Sequence, residues 1–226
     1  MEGEELLIEQ KDKIAFLYIN RPKKFNALNI SLLNKINITL RAISKNDKIR
    51  VIILTGIGEK AFAAGADILE FSEFKSKEAM ELSKNGKEKV FDFIEDFSKP
   101  VIAAINGYAL GGGLELALSC DIRIASDNAL MGFPETSLGT IPGYGGTYRL
   151  AEIVGKGIAK EMILTCRKIS AKEALEIGLI SYLTDKNELL DKATEVANQI
   201  IMNSPNAVNS AIKAINYIGG DRTKSC

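Results

Sequence analysis

Two carboxylates stand in surroundings that could give them chemistry. Glu115 lies in Leu114-Glu115-Leu116-Ala117-Leu118, where a helix has few wet faces. A carboxylate there is either on a narrow exposed stripe or in a partly buried site with a shifted pKa, and the residues alone leave both open. Glu135 follows Phe133-Pro134, and proline then glutamate is in itself an ordinary first helical turn. Carboxylates matter because the chain contains no histidine. Ser-His-Asp and Cys-His pairs, imidazole zinc sites and histidine bases are excluded. Proton chemistry near neutral pH falls to carboxylates, lysine, tyrosine or cysteine.

Three small-residue stretches accompany them. Lys60-Ala-Phe-Ala-Ala-Gly-Ala-Asp67 leaves backbone N–H groups open to close approach; taken alone, it reads as a tight strand-to-helix turn with Asp67 near the helix start. Asn106-Gly-Tyr-Ala-Leu-Gly-Gly-Gly-Leu-Glu115 places three glycines between an apolar strand and an apolar helix. That is costly in backbone entropy, and either close strand–helix packing or a ligand at the helix N-terminus accounts for it. It fits neither a P-loop nor a dinucleotide fingerprint. Ile141-Pro-Gly-Tyr-Gly-Gly-Thr-Tyr-Arg149 is a glycine-rich turn feeding a helix, without the lysine of a phosphate cradle.

The elements that must position these residues follow from periodicity. Leu6–Glu9 and Ile14–Ile19 read as strands closed by Arg21-Pro22, and a helix from about Ser31 carries Leu32, Leu33, Ile36, Leu40 and Ile43 on one face. Val51–Leu54 and Val101–Ile105 are short apolar runs expected to be strands buried on both faces, and Ile122/Ile124 alternate in a third. Helical patterns over roughly 77–97 and 114–119 separate them, which argues for an α/β domain with parallel pairing. After about Tyr144 the pattern is nearly all helical, with Leu189, Leu190, Ala193, Val196, Ala197, Ile200 and Ile201 on one stripe. A last helix starts at Ser204-Pro205 and ends near Gly219-Gly220. No internal repeat stands out.

At 226 residues this is one large domain or two small ones. The 29 basic and 29 acidic residues cancel, which removes the bulk charge of a nucleic-acid binder. Three cysteines without a CxxC, an acidic N-terminus and no long apolar run lead to the expectation of a soluble, cytoplasmic protein with reduced thiols, no nucleic-acid partner and no membrane span.

In order and spacing, RPKKFNALN, AFAAGADI, NGYALGGGLELALSCDIRIAS and FPETSLGTIPGYGGTYRL resemble the crotonase (enoyl-CoA hydratase/isomerase) superfamily, over about Leu6 to Gly219. The resemblance implies a spiral of ββα units forming two roughly perpendicular sheets over 1–143. A helical C-terminal region over 144–226 would then build a homotrimer or a dimer of trimers. It implies that the N–H groups of Ala66 and Gly112 form an oxyanion hole for the thioester carbonyl of an acyl-CoA. Glu115 would activate water for attack on C3 of a trans-2-enoyl-CoA, and Glu135 would exchange the proton at C2. It further implies that Lys24, Ala27, Leu28, Ala64, Asp67, Ile68, Gly111, Pro134 and Leu138 line the substrate and coenzyme A path, with Lys23 adding charge. No metal or organic cofactor is implied, since coenzyme A is part of the substrate. Family isomerases generally keep a single glutamate, at the position of Glu135, so both carboxylates together favour a hydratase, on short chains, over an isomerase or an idle acyl-CoA-binding subunit. Two departures stand out. Tyr148 replaces a common glutamine, a change expected to be felt in packing. The chain also stops at Cys226, before the further helices that in the family cover the acyl pocket and touch a neighbouring subunit.

Overall fold

The computed structural model describes residues 4–67 and 86–217. An antiparallel pair, β1 (Leu6–Lys11) and β2 (Ile14–Ile19), turns through Asp12 at φ 53. Helix α1 (Ile30–Ser44) follows; the Asn29 side chain accepts the Leu32 N–H at its start, and Leu32, Leu33, Ile36, Leu40 and Ile43 are buried as their spacing predicts. The chain continues through β3 (Val51–Gly56) and β4 (Ala61–Ala63). Residues 77–85 of the expected 77–97 helix lie outside the described residues. The remainder is a wide π-helical turn over Lys87–Phe91 that runs into α2 (Asp92–Glu95). Then come β5 (Val101–Ile105), β6 (Tyr108–Leu110), α3 (Gly112–Ser119), β7 (Ile122–Ser126), β8 (Leu130–Gly132) and a 3-10 turn over Glu135–Leu138. Helix α4 (Gly146–Thr165), broken at Gly155 where φ is 80, leads to β9 (Lys168–Ser170), α5 (Ala171–Glu176), β10 (Tyr182–Thr184), α6 (Leu189–Ile201) and α7 (Pro205–Tyr217).

Two sheets result. The larger has the order β1-β2-β3-β5-β7-β10, parallel except for β1 against β2; the smaller has the order β4-β6-β8-β9, antiparallel only at β9. Each of β3, β5 and β7 is followed at once by a strand of the smaller sheet, so the chain winds as a ββα spiral. Asn106 locks one corner to the next: its Oδ1 accepts the Gly56 N–H, and its Nδ2 donates to the Gly56 and Gly58 carbonyls. Gly107 stands where a Cβ would come within 2.4 Å of the Lys60 carbonyl oxygen, so the corner closes only around glycine.

The unbroken apolar strands are explained by two cores. Ala15, Leu17, Ile52, Leu54, Val101, Ala103 and Ile105 face the main core with α1, α2 and α3. Their alternates Ile14, Phe16, Val51, Ile53, Ile102, Ala104 and Ile124 face Leu189, Ala193, Val196 and Ala197 of α6. The region after Tyr144 departs from the nearly all-helical expectation: β9 joins the smaller sheet and β10 completes the larger. Each is three residues long, too short for alternation to register in the sequence. Among the described residues, no helix is long and apolar enough to cross a membrane.

Candidate active site

The glycine triplet divides its labour. Gly113 is packing: a Cβ there would lie 1.9 Å from the Ala63 carbonyl oxygen, so α3 starts pressed onto β4. Gly111 is conformational, at φ 52 and ψ −126, and a Cβ on it would meet Glu135 Oε1 at 2.6 Å. Gly112 opens the helix, and its N–H is one of the donors that a helix start leaves without an intrahelical acceptor. The position a Cβ would take on Gly112 lies 3.6 Å from the Ala66 nitrogen and 3.4 Å from the Tyr144 ring.

Ala66 reaches this point through a bridge. Leu28 pairs with it in parallel; the Leu28 N–H donates to the Gly65 carbonyl, and the Asp67 N–H donates to the Leu28 carbonyl. In a parallel bridge of this pattern the central residue turns its own N–H away from its partner. The Ala66 amide is therefore turned away from Leu28, and its nitrogen lies near Gly112. Gly65 is at φ 101, and a Cβ on it would lie 3.1 Å from the Leu110 carbonyl oxygen and 3.7 Å from the Gly112 nitrogen. Two backbone donors from different segments thus stand side by side at one helix start.

Helix α3 is buried along its whole length, which removes the exposed-stripe reading of Glu115. Its side chain is 1% exposed, and Oε1 accepts the Tyr144 N–H at 2.7 Å and the Gly146 N–H at 2.8 Å. Gly146 must be glycine for this approach, since a Cβ there would lie 2.8 Å from Glu115 Cγ. Burial pushes the Glu115 carboxyl up to about 7, and the charge of Glu135 adds to the rise. The Gly146 and Tyr144 amides and Arg149 oppose it. Glu135 opens its 3-10 turn, so the first-turn reading is also correct, yet burial pushes its carboxyl up to about 7 as well. Its Oε2 is buried and accepts no hydrogen bond among the described residues. Two acids whose carboxyls are pushed up to about 7 therefore stand near the start of α3 and the two amides, an arrangement suited to moving one proton on and one proton off.

Arg149 went unweighted in the sequence, where it closes the Ile141–Arg149 stretch. It is 1% exposed, and its Nη1 donates to the Tyr144 carbonyl at 2.7 Å. Its Nη2 reaches Asp92 at 2.6 Å and Glu95 at 2.9 Å. The same peptide segment whose amides hold Glu115 is thus tied through one buried guanidinium to α2. Tyr148 packs under that guanidinium at 4.9 Å and donates to Asp92 at 3.2 Å. The signal for the cluster was present as Asp92 and Glu95, three apart on one helix turn, but nothing in sequence connects them to residue 149.

The remaining expected residues fall at several depths. Lys24 is exposed and its ammonium sits 3.0 Å from Asp67, whose carboxylate also takes Arg21 at 2.8 Å. Hydrogen bonds from Arg21 and then Lys24 hold the Asp67 carboxyl below the usual range. Ala27 and Ala64 are half-buried, with the Ala64 N–H donating to the Phe25 carbonyl at 3.0 Å. The Leu28 side chain is fully buried in the core, so it presents backbone rather than side chain. Pro134 is half-buried beside Glu135, Leu138 is 61% exposed, Lys23 is exposed, and Ile68 lies outside the described residues.

Comparison with known proteins gives a consistent picture. The model of the family described as enoyl-CoA hydratase/isomerase matches residues 9–221. The chain is 48% identical over 216 residues to the short-chain-enoyl-CoA hydratase of Clostridium acetobutylicum, covering 96% of this chain and 82% of that protein. It is 44% identical to the crotonyl-CoA hydratase of Syntrophomonas wolfei, covering 96% of this chain and 83% of that one. The solved structure of an enoyl-CoA hydratase from Bacillus anthracis superposes with a TM-score of 0.90 at 42% identity, over 96% of this chain and 85% of that chain.

Proposed function

The chain belongs to the enoyl-CoA hydratase/isomerase family, and from that premise we propose that it is a short-chain enoyl-CoA hydratase, adding water reversibly across the trans-2 double bond to give a 3-hydroxyacyl-CoA. In this reading the thioester oxygen lies between the Ala66 and Gly112 N–H groups. These donors stand ready before the reaction and gain strength as the oxygen takes on enolate charge; such a donor is worth roughly 3–4 kcal/mol. Glu115, with Oε1 pinned by two amides, uses its other oxygen to hold water and accept its proton as the hydroxyl bonds to C3. The displaced π electrons pass to the thioester oxygen and return to C2, which takes a proton from the carboxyl of Glu135. Water is thereby added in full, and exchange of protons with solvent restores Glu115 as base and Glu135 as acid.

The observation that carries this reading is the pair of acids near pH 7 beside two amides at the start of α3. The assay is loss of enoyl-thioester absorbance on adding the protein to crotonyl-CoA. Double-bond migration without hydration would assign the chain to the isomerases, and binding without spectral change would make it an acyl-CoA-binding subunit. Nothing in this chemistry calls for a metal or an organic cofactor.

Lys23 and Lys24, exposed beside Ala27 and Ala64, are proposed to meet the phosphates and pantetheine of coenzyme A, with Gly111, Pro134 and Leu138 nearer the acyl end. Assembly as a homotrimer or a dimer of trimers is part of the proposal; no residue of α7 is buried within one chain, and Ile215 and Tyr217 are largely exposed. Light scattering of the purified protein tests it. A cytoplasmic location is likewise proposed, and fractionation of cells that make the protein tests that.

A further inference from the structure

We propose that the Tyr144 ring, backed by Phe91, is the wall that restricts this site to short acyl chains. The inference rests on the hydratase reading above. Tyr144 is held on both sides of its Cα, since its N–H donates to Glu115 and its carbonyl accepts from Arg149. The backbone is therefore pinned, which fixes the direction in which the side chain leaves it. That direction takes the ring to 5% exposure, parallel to the Phe91 ring at 4.4 Å between centroids and 6° between planes. Its edges lie 3.4 Å from the Cβ position of Gly112 and 2.9 Å from that of Gly86, so two glycines make the room it occupies.

The placement matters because one residue touches both ends of the proposed reaction. The ring lies against Gly112, whose amide faces the thioester oxygen, and the main chain of the same residue fixes the carboxyl that delivers water to C3. An acyl group held at C1 and at C3 must therefore run along Tyr144. Carbons beyond C4 meet a stacked aromatic pair that is already close-packed, where extra methylenes force displacement rather than finding space. A crotonyl group ends before that point.

The test is the hydration rate on trans-2-enoyl-CoA esters of four, eight and ten carbons, with the unmodified protein, Tyr144→Ala and Tyr144→Leu. The unmodified protein should favour four carbons over eight by about tenfold or more in kcat/KM, a discrimination within reach of a few methylenes in a tight pocket. Tyr144→Ala should shrink that ratio by about tenfold, mainly by raising the rate on the longer esters. Tyr144→Leu fills more of the space and should fall between; it decides the matter if the alanine variant does not fold. An unmodified protein that prefers eight or ten carbons, or truncated variants whose ratio stays within about twofold of the parent, would overturn the inference. Failure to hydrate any ester would instead refute the hydratase reading.

Discussion

Replacing Glu115 by glutamine separates two effects of the same carboxyl. The amide keeps an oxygen where Oε1 accepts the Tyr144 and Gly146 N–H groups at 2.7 and 2.8 Å, and it has nearly the same volume, so the loop stays docked. The proton acceptor is lost. Hydration of crotonyl-CoA should slow by about 100-fold or more, the range of a positioned base. Stability should move the opposite way. A carboxyl that ionises near pH 7 instead of 4.5 has its charged form disfavoured in the fold by about 3 kcal/mol. Between those pH values the folded protein retains a proton that the unfolded chain has released, so parental stability falls as pH rises through the window. Glutamine has no such charge. At pH 8 Glu115→Gln should therefore be the more stable protein by up to about 3 kcal/mol, or about 6–10 °C in Tm for a chain of this size, less whatever the new amide N–H2 leaves unpaired. The advantage should vanish towards pH 4. Paired thermal melts from pH 4.5 to 8.5, with initial hydration rates, measure both effects. Near-normal turnover would refute the role of Glu115 as base, and a stability difference independent of pH would refute the buried-charge argument.

Because one acid must be ionised and the other protonated, kcat/KM should be bell-shaped with a maximum near pH 7, its two apparent pKa values belonging to the pair; Glu135→Gln should slow hydration by about 100-fold or more and abolish the alkaline limb. Arg149→Met removes the guanidinium shared by Asp92 and Glu95 and should cost about 1.5–3 kcal/mol by chemical denaturation. It also removes a positive charge that lowers the Glu115 pKa, so the acidic limb of the remaining activity should move to higher pH. Gly113→Ala and Gly112→Ala should part company: the first drives a Cβ into the Ala63 carbonyl and should unfold or strongly destabilise the chain, whereas the second has 3.4 Å of clearance and should melt near the parent temperature. With its methyl facing the Ala66 amide, Gly112→Ala should nonetheless lose about 100-fold or more in hydration rate.

Much of this was legible because the rules involved are local. The α1 stripe from Leu32 to Ile43 and the doubly buried β3 and β5 are statements about period and hydrophobicity, and the structure keeps them. The ββα winding has no signature of its own in residue types, since its turns share geometry rather than sequence; here the resemblance to a family supplied what periodicity did not. The three-residue strands β9 and β10 are held by partners more than thirty residues away, and no local window contains that information. At the site, the triplet announced that something needed glycines, but assigning Gly113 to packing and Gly111 to the approach of Glu135 required knowing what lies opposite each. Arg149 shows the same limit, because its importance comes from where its neighbours' carbonyl and carboxylates stand.

Four of the donors gathered here, on Ala66, Gly112, Tyr144 and Gly146, belong to the polypeptide backbone. A change of side chain cannot delete such a group; proline alone among the standard residues removes it. The machinery is therefore vulnerable chiefly through bulk and curvature, and two polypeptides with quite different residues at these four places can present the same electrostatic surface to a substrate. Comparing such proteins letter by letter understates how alike they are, while overlaying their N–H vectors compares the feature that does the work.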